Sequence, residues 1–449
     1  MSHYEAVIGL ETHIQLNTAT KIFCSCKADS WEDAPNTNIC PVCSGLPGVL
    51  PVLNQAAVEK GARLAGAMHA EIRLVSYFDR KNYFYPDLPK GFQISQFDQT
   101  LGKGGWLDIP MPDGSRRRVN ITKLHLEEDA GKTKYEGGKR FVDFNRCGVP
   151  LVEMVTDPDL RSGDEAAQYL IRLRQLLRWL GVSEGDMEKG HLRCDANVSI
   201  RLAGSTELFT KTEIKNVNSI EAVRAAINME IERQIESVRS GGQVEPWTLD
   251  WDDAHNRLNK MRIKATEAGY FYFREPDLPP LVVSEAWRDE VLANLPELPL
   301  ERRERFMNDY GLPEYDADIL TADKPISDYF EAALRAYGGE AKVVSNWMMN
   351  EVLRMLNDLG LTADLLVLTP EHLAAVITMV DEGTINIPTG KSLLNKVQTS
   401  GRSPEAIVEE EGLAQVSDDD ALLKAILSVM EASPDEVNSY RGGKEGLLG

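Results

Sequence analysis

The chain has 449 residues, 43% of them hydrophobic and 27% charged, with six cysteines and a formal net charge of −21. At about 150 residues per domain this length suits two to four domains, and the ordinary balance excludes a disordered or fibrous chain. No apolar run approaches the ~20 residues of a membrane helix, and Met1–His13 lacks a basic segment leading into a long apolar one. The cysteines are too sparse for a disulfide scaffold, so a reducing cytoplasm is the expected setting.

The acidity is unevenly spread. Residues 1–150 carry 18 basic and 17 acidic side chains, residues 151–290 carry 18 and 25, and residues 291–449 carry 13 and 28. The first part is therefore nearly neutral and the last third strongly acidic. This distribution permits a nucleic-acid partner without supporting one.

Up to about residue 285, glycines, prolines and aromatics punctuate short β-type runs such as Glu5–Leu10, Arg117–Leu124 and Val198–Leu202. Two helices are expected among them. Asp164–Leu180 starts at a Ser162/Glu165 capping box, repeats Leu170, Leu173, Leu177 and Leu180, and stops at Gly181. Ile220–Val238 repeats Ile220, Val223, Ile227, Ile231 and Ile235 before Gly241 and Gly242. The Pro276–Pro280 strip marks a hinge. Beyond it helices are expected at Ala286–Asn294, Leu300–Tyr310, Ile326–Tyr337, Val343–Leu359, Glu371–Asp381, Pro404–Glu411 and Asp420–Glu431. An α+β front domain followed by helical modules is the fold class.

Cys24 and Cys26, then Cys40 and Cys43, form two short thiol pairs of the kind that closes a tetrahedron around Zn²⁺. Cys147 and Cys194 lack such spacing and suit packing. Strand alternation puts Glu11 and His13 on one face. His125-Leu-Glu-Glu-Asp129 is either a solvated turn or, if buried, a cluster in need of a cation. Glu153 stands in the apolar run Val149–Val155, where a lone carboxylate is costly. Asp195 sits in a similar context, and Glu213 and Lys215 are either an ordinary same-face ion pair or part of a site. The aromatic-basic segment Phe78–Gln96 suits either nucleic-acid stacking or the packing of a long loop. Phosphate-loop, dinucleotide-binding, nucleophile-elbow and zincin motifs are absent from the sequence.

Taken together, VIGLETHIQLNTATKIFCSC, PNTNICPVCSGLPGVLPVLN, FDRKNYFYPDLPKGFQISQFD, KLHLEEDAGK, VDFNRCGVPLVEMV, LRCDANVSIR, TEIKNVNS and REPDLPPLVV cover most of residues 4–285. In this order they closely resemble the B-subunit family of the bacterial and archaeal aspartyl/glutamyl-tRNA amidotransferases. SNWMMNEVLRMLN, EGTINIP and YRGGKEGLLG extend the resemblance less densely. The chain departs from the family at Gly269–Phe273 and at Asn386–Gly390, and it stops at Gly449, where the family normally continues with another helical segment.

The resemblance implies a cradle-type mixed α/β domain over 1–285 with a zinc loop at 22–44, then a helical domain over 286–402. Residues 403–449 would begin a C-terminal, tRNA-contacting helical tail. It implies partnership with an amidase A subunit and a small C subunit. The activity implied is ATP-dependent phosphorylation of the side-chain carboxylate of Glu mischarged on tRNA(Gln), or Asp on tRNA(Asn), then amidation by ammonia channelled from glutamine. His13, Glu128 and Glu153 would hold Mg²⁺, with Mn²⁺ able to replace it because histidine is an atypical Mg²⁺ ligand. Glu11, Asp195, Glu213 and Lys215 would act beside them, and Lys81 and Lys90 would face the ammonia route or the aminoacyl end. Two other readings stay open: a tRNA-binding scaffold that leaves all chemistry to the amidase, and an independent ATP-dependent amide ligase, for which no amidase signature is present.

Overall fold

The computed structural model describes residues 4–263, 270–415 and 419–444. Gly269 of the aromatic strip and residues 445–449 lie outside the described residues. The chain forms two compact units, Met1–Pro299 and Leu300–Gly449.

The first unit is built on a ten-stranded sheet whose centre is the strand Tyr4–Gln15. On one side of it lie Pro150–Thr156 and then Arg116–Glu128; on the other, Leu192–Leu202, Thr212–Val217, Trp247–Asp252 and Arg257–Ile263. All these neighbours are antiparallel except Thr212–Val217 with Trp247–Asp252, which are parallel. A parallel pair needs a crossover, and the helix Ile220–Arg239 lies within the connecting segment. That helix and Gly163–Trp179 match the expected pair. Their N-caps, Ser219 and Ser162, accept from the Ala222 and Glu165 amides.

Two strands run longer than expected. Glu5–Leu10 extends to Gln15, and Arg117–Leu124 extends to Glu128, so the His125–Asp129 run is largely strand and buried rather than a solvated turn. The sheet is two-faced. Ile8, Leu10 and Ile14 share a core with Leu170, Leu173, Ala226 and Ile227 of the two helices. The alternate residues, Glu11, His13, Arg193, Asp195 and Asn197, are only half-buried and form the opposite face.

The helix Gln55–Ala67 escapes a periodicity search because its buried face is mostly small: Ala57, Gly61, Ala62, Ala65. Gly61 sits close against the core, where a Cβ would stand 2.9 Å from a Leu101 methyl. The Pro276–Pro280 strip is followed by Leu281–Val282, which pairs with Val75–Ser76. The helix Glu285–Ala293 follows, and Trp287, Val291, Leu295 and Leu298 pack into the first core. The first compact unit therefore runs on through that helix to Pro299.

The second unit is helical over its described residues, with a core around Phe306, Phe330, Val376, Ile377, Leu393 and Leu394. The helix expected over Val343–Leu359 carries a π-helical turn at Met348–Val352. Asn386 of the divergent Asn386–Gly390 stretch caps a further helix, Ile387–Ser400, by accepting from the Thr389 amide. Among the described residues no helix is long and apolar enough to cross a membrane.

Candidate active site

Register places the polar residues of the open sheet face side by side. His13 is opposite Glu153, and Glu153 is opposite His125 on the next strand. Glu11 is opposite Asp195, and Asn197 is opposite Glu213. Directly paired residues point to the same face, as do residues two apart. Five strands thus deliver Glu127, His125, Glu153, His13, Glu11, Asp195, Glu213 and Lys215 to one surface.

At its centre, Nε2 of His13 lies 3.5 Å from Oε2 of Glu153, 3.7 Å from Oε1 of Glu11 and 3.8 Å from Oε1 of Glu127. Nε2 of His125 lies 3.3 Å from Oε2 of Glu153 and 3.5 Å from Oε2 of Glu127. Glu11–His13–Glu153 and His125–Glu127–Glu153 are two sets whose donor atoms lie within 4.8 Å of one another, and they share Glu153. Burial lowers the affinity of both imidazoles for a proton, but the carboxylates prevail: both are raised, His125 to about 9. For Glu153 burial works upward, yet His125 and His13 hold it well below the usual carboxylate range. Glu11 is raised by burial and by Glu153. Three crowded carboxylates and two imidazoles, with the buried Nδ1 of His125 left without a hydrogen-bond partner, make a donor set that fits a divalent cation.

Glu128 is not in this cluster. Of the expected set His13, Glu128 and Glu153, the structure brings His13 and Glu153 together with Glu127 and His125 beside them and places Glu128 elsewhere, and the cause is strand parity. His125 and Glu127 share one side, whereas Glu128 shares the other with Leu124 and Leu126. Its carboxylate accepts from the Ile94 amide at 2.8 Å and pairs with Lys90. The i, i+2 pattern of His125 and Glu127 was the available signal.

Lys215 pairs with Asp195 and lies 3.3 Å from Glu213. Burial opposes its charge, and Asp195 and Glu213 outweigh this and raise it. Lys81 and Lys90 come from outside these five strands. The Lys81 ammonium lies 5.0 Å from the Tyr270 ring centroid and 5.9 Å from that of Tyr83; against the cost of burial, Glu127 and Glu153 raise it. Lys90 lines a separate cavity of about 270 Å³ with Glu128, Arg80, Glu275, Cys24 and Cys43.

The four thiols of Cys24, Cys26, Cys40 and Cys43 lie within 4.8 Å of one another, the arrangement of a closed tetrahedral site. Cys43 is held down to about 4, first by the Cys24 thiol, then by the Cys40 amide and Lys21. Burial and Cys40 push Cys26 up to about 11. Lys21 is fully buried, and its Nζ lies 2.9 Å from the Asn38 carbonyl and 3.6 Å from Cys43 Sγ, a counter-charge for thiolate. Cys147 and Cys194 are buried apart from this group.

Comparison with known proteins agrees over both units. Residues 6–289 match the GatB/GatE catalytic domain, and residues 328–449 match the GatB domain. The B subunit of the aspartyl/glutamyl-tRNA(Asn/Gln) amidotransferase of Thermodesulfovibrio yellowstonii is 49% identical over 447 residues, covering 99% of this chain and 94% of the relative. The protein of the same name from Moorella thermoacetica is 48% identical over 450 residues, 99% and 94% of the two chains. That from Crocosphaera subtropica is 46% identical over 464 residues, 100% and 92%. From the N-terminal sheet to the C-terminal helices, this chain belongs to the GatB family of amidotransferase proteins.

Proposed function

We propose that this chain is the activating subunit of a tRNA-dependent amidotransferase, working in the cytoplasm with an amidase A subunit and a small C subunit. Its substrate is Glu mischarged on tRNA(Gln), Asp mischarged on tRNA(Asn), or both. The observation that carries this reading is the convergence of His13, His125, Glu127, Glu153 and Glu11 on one open sheet face, in a chain of this family.

A side-chain carboxylate, with an ordinary pKa near 4, is already ionised at neutral pH, so its attack on the γ-phosphorus of ATP needs no base. It needs cations and alignment. Lys81, aimed by the pull of Glu127 and Glu153, and Lys215 are the side chains that offset repulsion between the two anions. A carboxylate oxygen bonds to the γ-phosphorus, ADP leaves, and an acyl phosphate forms on the substrate. The nitrogen of ammonia then attacks the acyl carbon, phosphate leaves, and the amide results. The leaving phosphate takes the proton that the attacking nitrogen sheds, which balances the step without a further base.

Glu11, His13, Glu153, Glu127 and His125 would hold a divalent ion, Mg²⁺ or, given two imidazoles, Mn²⁺, which supplies charge neutralisation of phosphate oxygens. The cysteine set would hold a structural Zn²⁺.

The test is formation of phosphorylated aminoacyl-tRNA by the reconstituted complex, scored separately from ammonia release. Glu153→Gln is expected to slow phosphorylation by at least ~100-fold, of the order seen when one preorganised electrostatic group is lost. A wild-type rate in that variant overturns the reading and favours a scaffold with all chemistry in the amidase.

A further inference from the structure

Lys21 is the one fully buried lysine among the described residues. Other buried charges of the chain face an opposite one: Glu128 faces Lys90, Asp129 faces Arg193, Glu230 faces Arg233 and Asp316 faces Lys342. Lys21 has no carboxylate partner among the described residues. Its Nζ donates to the Asn38 carbonyl at 2.9 Å and to Cys43 Sγ at 3.6 Å. A carbonyl dipole and one uncharged sulfur do not offset the hydration that an ammonium loses on burial. The position calls for a neighbouring anion.

The local chain is arranged to put that anion at sulfur. The Lys21 amide donates to the Cys26 carbonyl at 2.9 Å, which ties the residue to the first thiol pair, and its side chain crosses to the second. Asn38, which receives the ammonium, is itself fixed: its amide donates to Asn145 Oδ1 and its side chain to the Lys27 carbonyl, both at 2.9 Å. Cys43 Sγ also accepts from the Cys40 amide at 3.2 Å. Two N–H donors thus converge on one sulfur, an arrangement that suits a sulfur bearing negative charge. Other cations nearby are engaged. Cys24 and Cys43 line the cavity of about 270 Å³, where Lys90 pairs with Glu128, and Arg80 with Glu275 and Asp277.

We propose that Lys21 sets how firmly the cysteine set keeps zinc, an inference that rests on the zinc reading of those four thiols. Four thiolates around a dication leave two negative charges in excess, and the Lys21 ammonium offsets one of them from the buried side. On the cavity side the same sulfurs look toward three carboxylates, each already matched by Lys90 or Arg80. Lys21 is therefore the cation left for the sulfurs. It acts through Cys43 and touches no substrate, so it is a positioning residue of the metal loop.

The experiment is equilibrium zinc competition on the full chain against a chromophoric chelator, for wild type, Lys21→Met and Lys21→Gln. Wild type should hold one zinc per chain. Both neutral variants should bind zinc about 10–100-fold more weakly, the effect of losing an outer-shell partner. Met fills the lysine's space without its charge, so a role in packing alone would leave the Lys21→Met affinity at the wild-type value. Cobalt in place of zinc gives a second readout. Loss of the N–H on sulfur raises the energy of the sulfur lone pair, so the thiolate-to-cobalt absorption should move to lower energy in both variants. Unchanged zinc affinity in the variants overturns the proposal, as does an unmoved cobalt band. Lys21→Gln carries the test if the Met variant misfolds. A wild-type chain without zinc would overturn the zinc reading and this proposal with it, whereas one zinc held equally by wild type and both variants would overturn this proposal alone.

Discussion

The first unit carries two clusters of potential metal ligands, and they are built in opposite ways. The four cysteines come from one loop, within 20 residues of each other, and thiol supplies every donor. The carboxylates and imidazoles come from three strands, Tyr4–Gln15, Arg116–Glu128 and Pro150–Thr156, and hydrogen-bonded register holds them. Residues 22–44 contain no helix or extended strand, and their ties to the rest of the unit are Ile22 and Phe23 in the core and hydrogen bonds such as those of Asn36 and Asn38 to Val142, Asp143 and Asn145. The sheet face is backed by Ile8, Leu10, Ile14 and two helices. A cation at the cysteines would therefore fold its surroundings, whereas one at the sheet face would enter a frame already made.

The largest expected effect separates the two by metal removal. Chelation, or Cys43→Ser, should release zinc with more than ~100-fold loss of affinity, beyond the ~10–100-fold cost of outer-shell changes. It should also open residues 22–44 to proteolysis, while the sheet keeps its secondary structure. Chelation at the sheet face should leave the fold intact, because register and core do not depend on a cation. Protease mapping with and without chelator checks both halves. A protected loop in the metal-free chain would erase the contrast.

A smaller effect sharpens the geometry of the sheet site. Glu127→Gln removes a carboxylate from the cluster and should weaken Mn²⁺ binding by at least the ~10–100-fold of an outer-shell change. Glu128→Gln, on the opposite strand side against Lys90 and the Ile94 amide, should change it by no more than about threefold. Calorimetric titration of the two variants decides it, and the reverse order would restore Glu128 to the site.

The same contrast explains what was legible before folding. The cysteine pairs announce themselves because their ligands are sequence neighbours and thiol spacing has few other meanings. Glu153 could be singled out because a charge in an apolar strand is costly, and Glu11 and His13 because strand alternation puts them on one face. The choice between Glu127 and Glu128 depended on strand parity, and parity on a strand that continued four residues past Leu124. The front-half helices with branched or long apolar repeats were found. Gln55–Ala67, whose face is mostly Ala and Gly, was not, because small residues leave no strong periodic signal.

The smallest effect is in pH, and its sign distinguishes an occupied sheet site from an empty one. In the metal-free chain His125, facing Glu127 and Glu153 with His13 and Glu11 nearby, is raised to about 9, against an ordinary value near 6.5. A group whose folded value is raised stabilises the fold fully below the unfolded value and loses that contribution as pH climbs through the folded one. The metal-free protein should therefore lose this stabilisation between pH 6.5 and 9. A cation needs the neutral imidazole, so its affinity should rise over the same interval, by up to about tenfold per unit for one displaced proton. Thermal melts across that window, with EDTA and with saturating Mn²⁺, should diverge: the His125 contribution falls with pH in the first series, and the stabilisation added by the ion grows in the second. Parallel curves would mean that neither raised imidazole, His13 or His125, releases a proton to the ion, and would leave the carboxylates of Glu11, Glu127 and Glu153 as the ligand set.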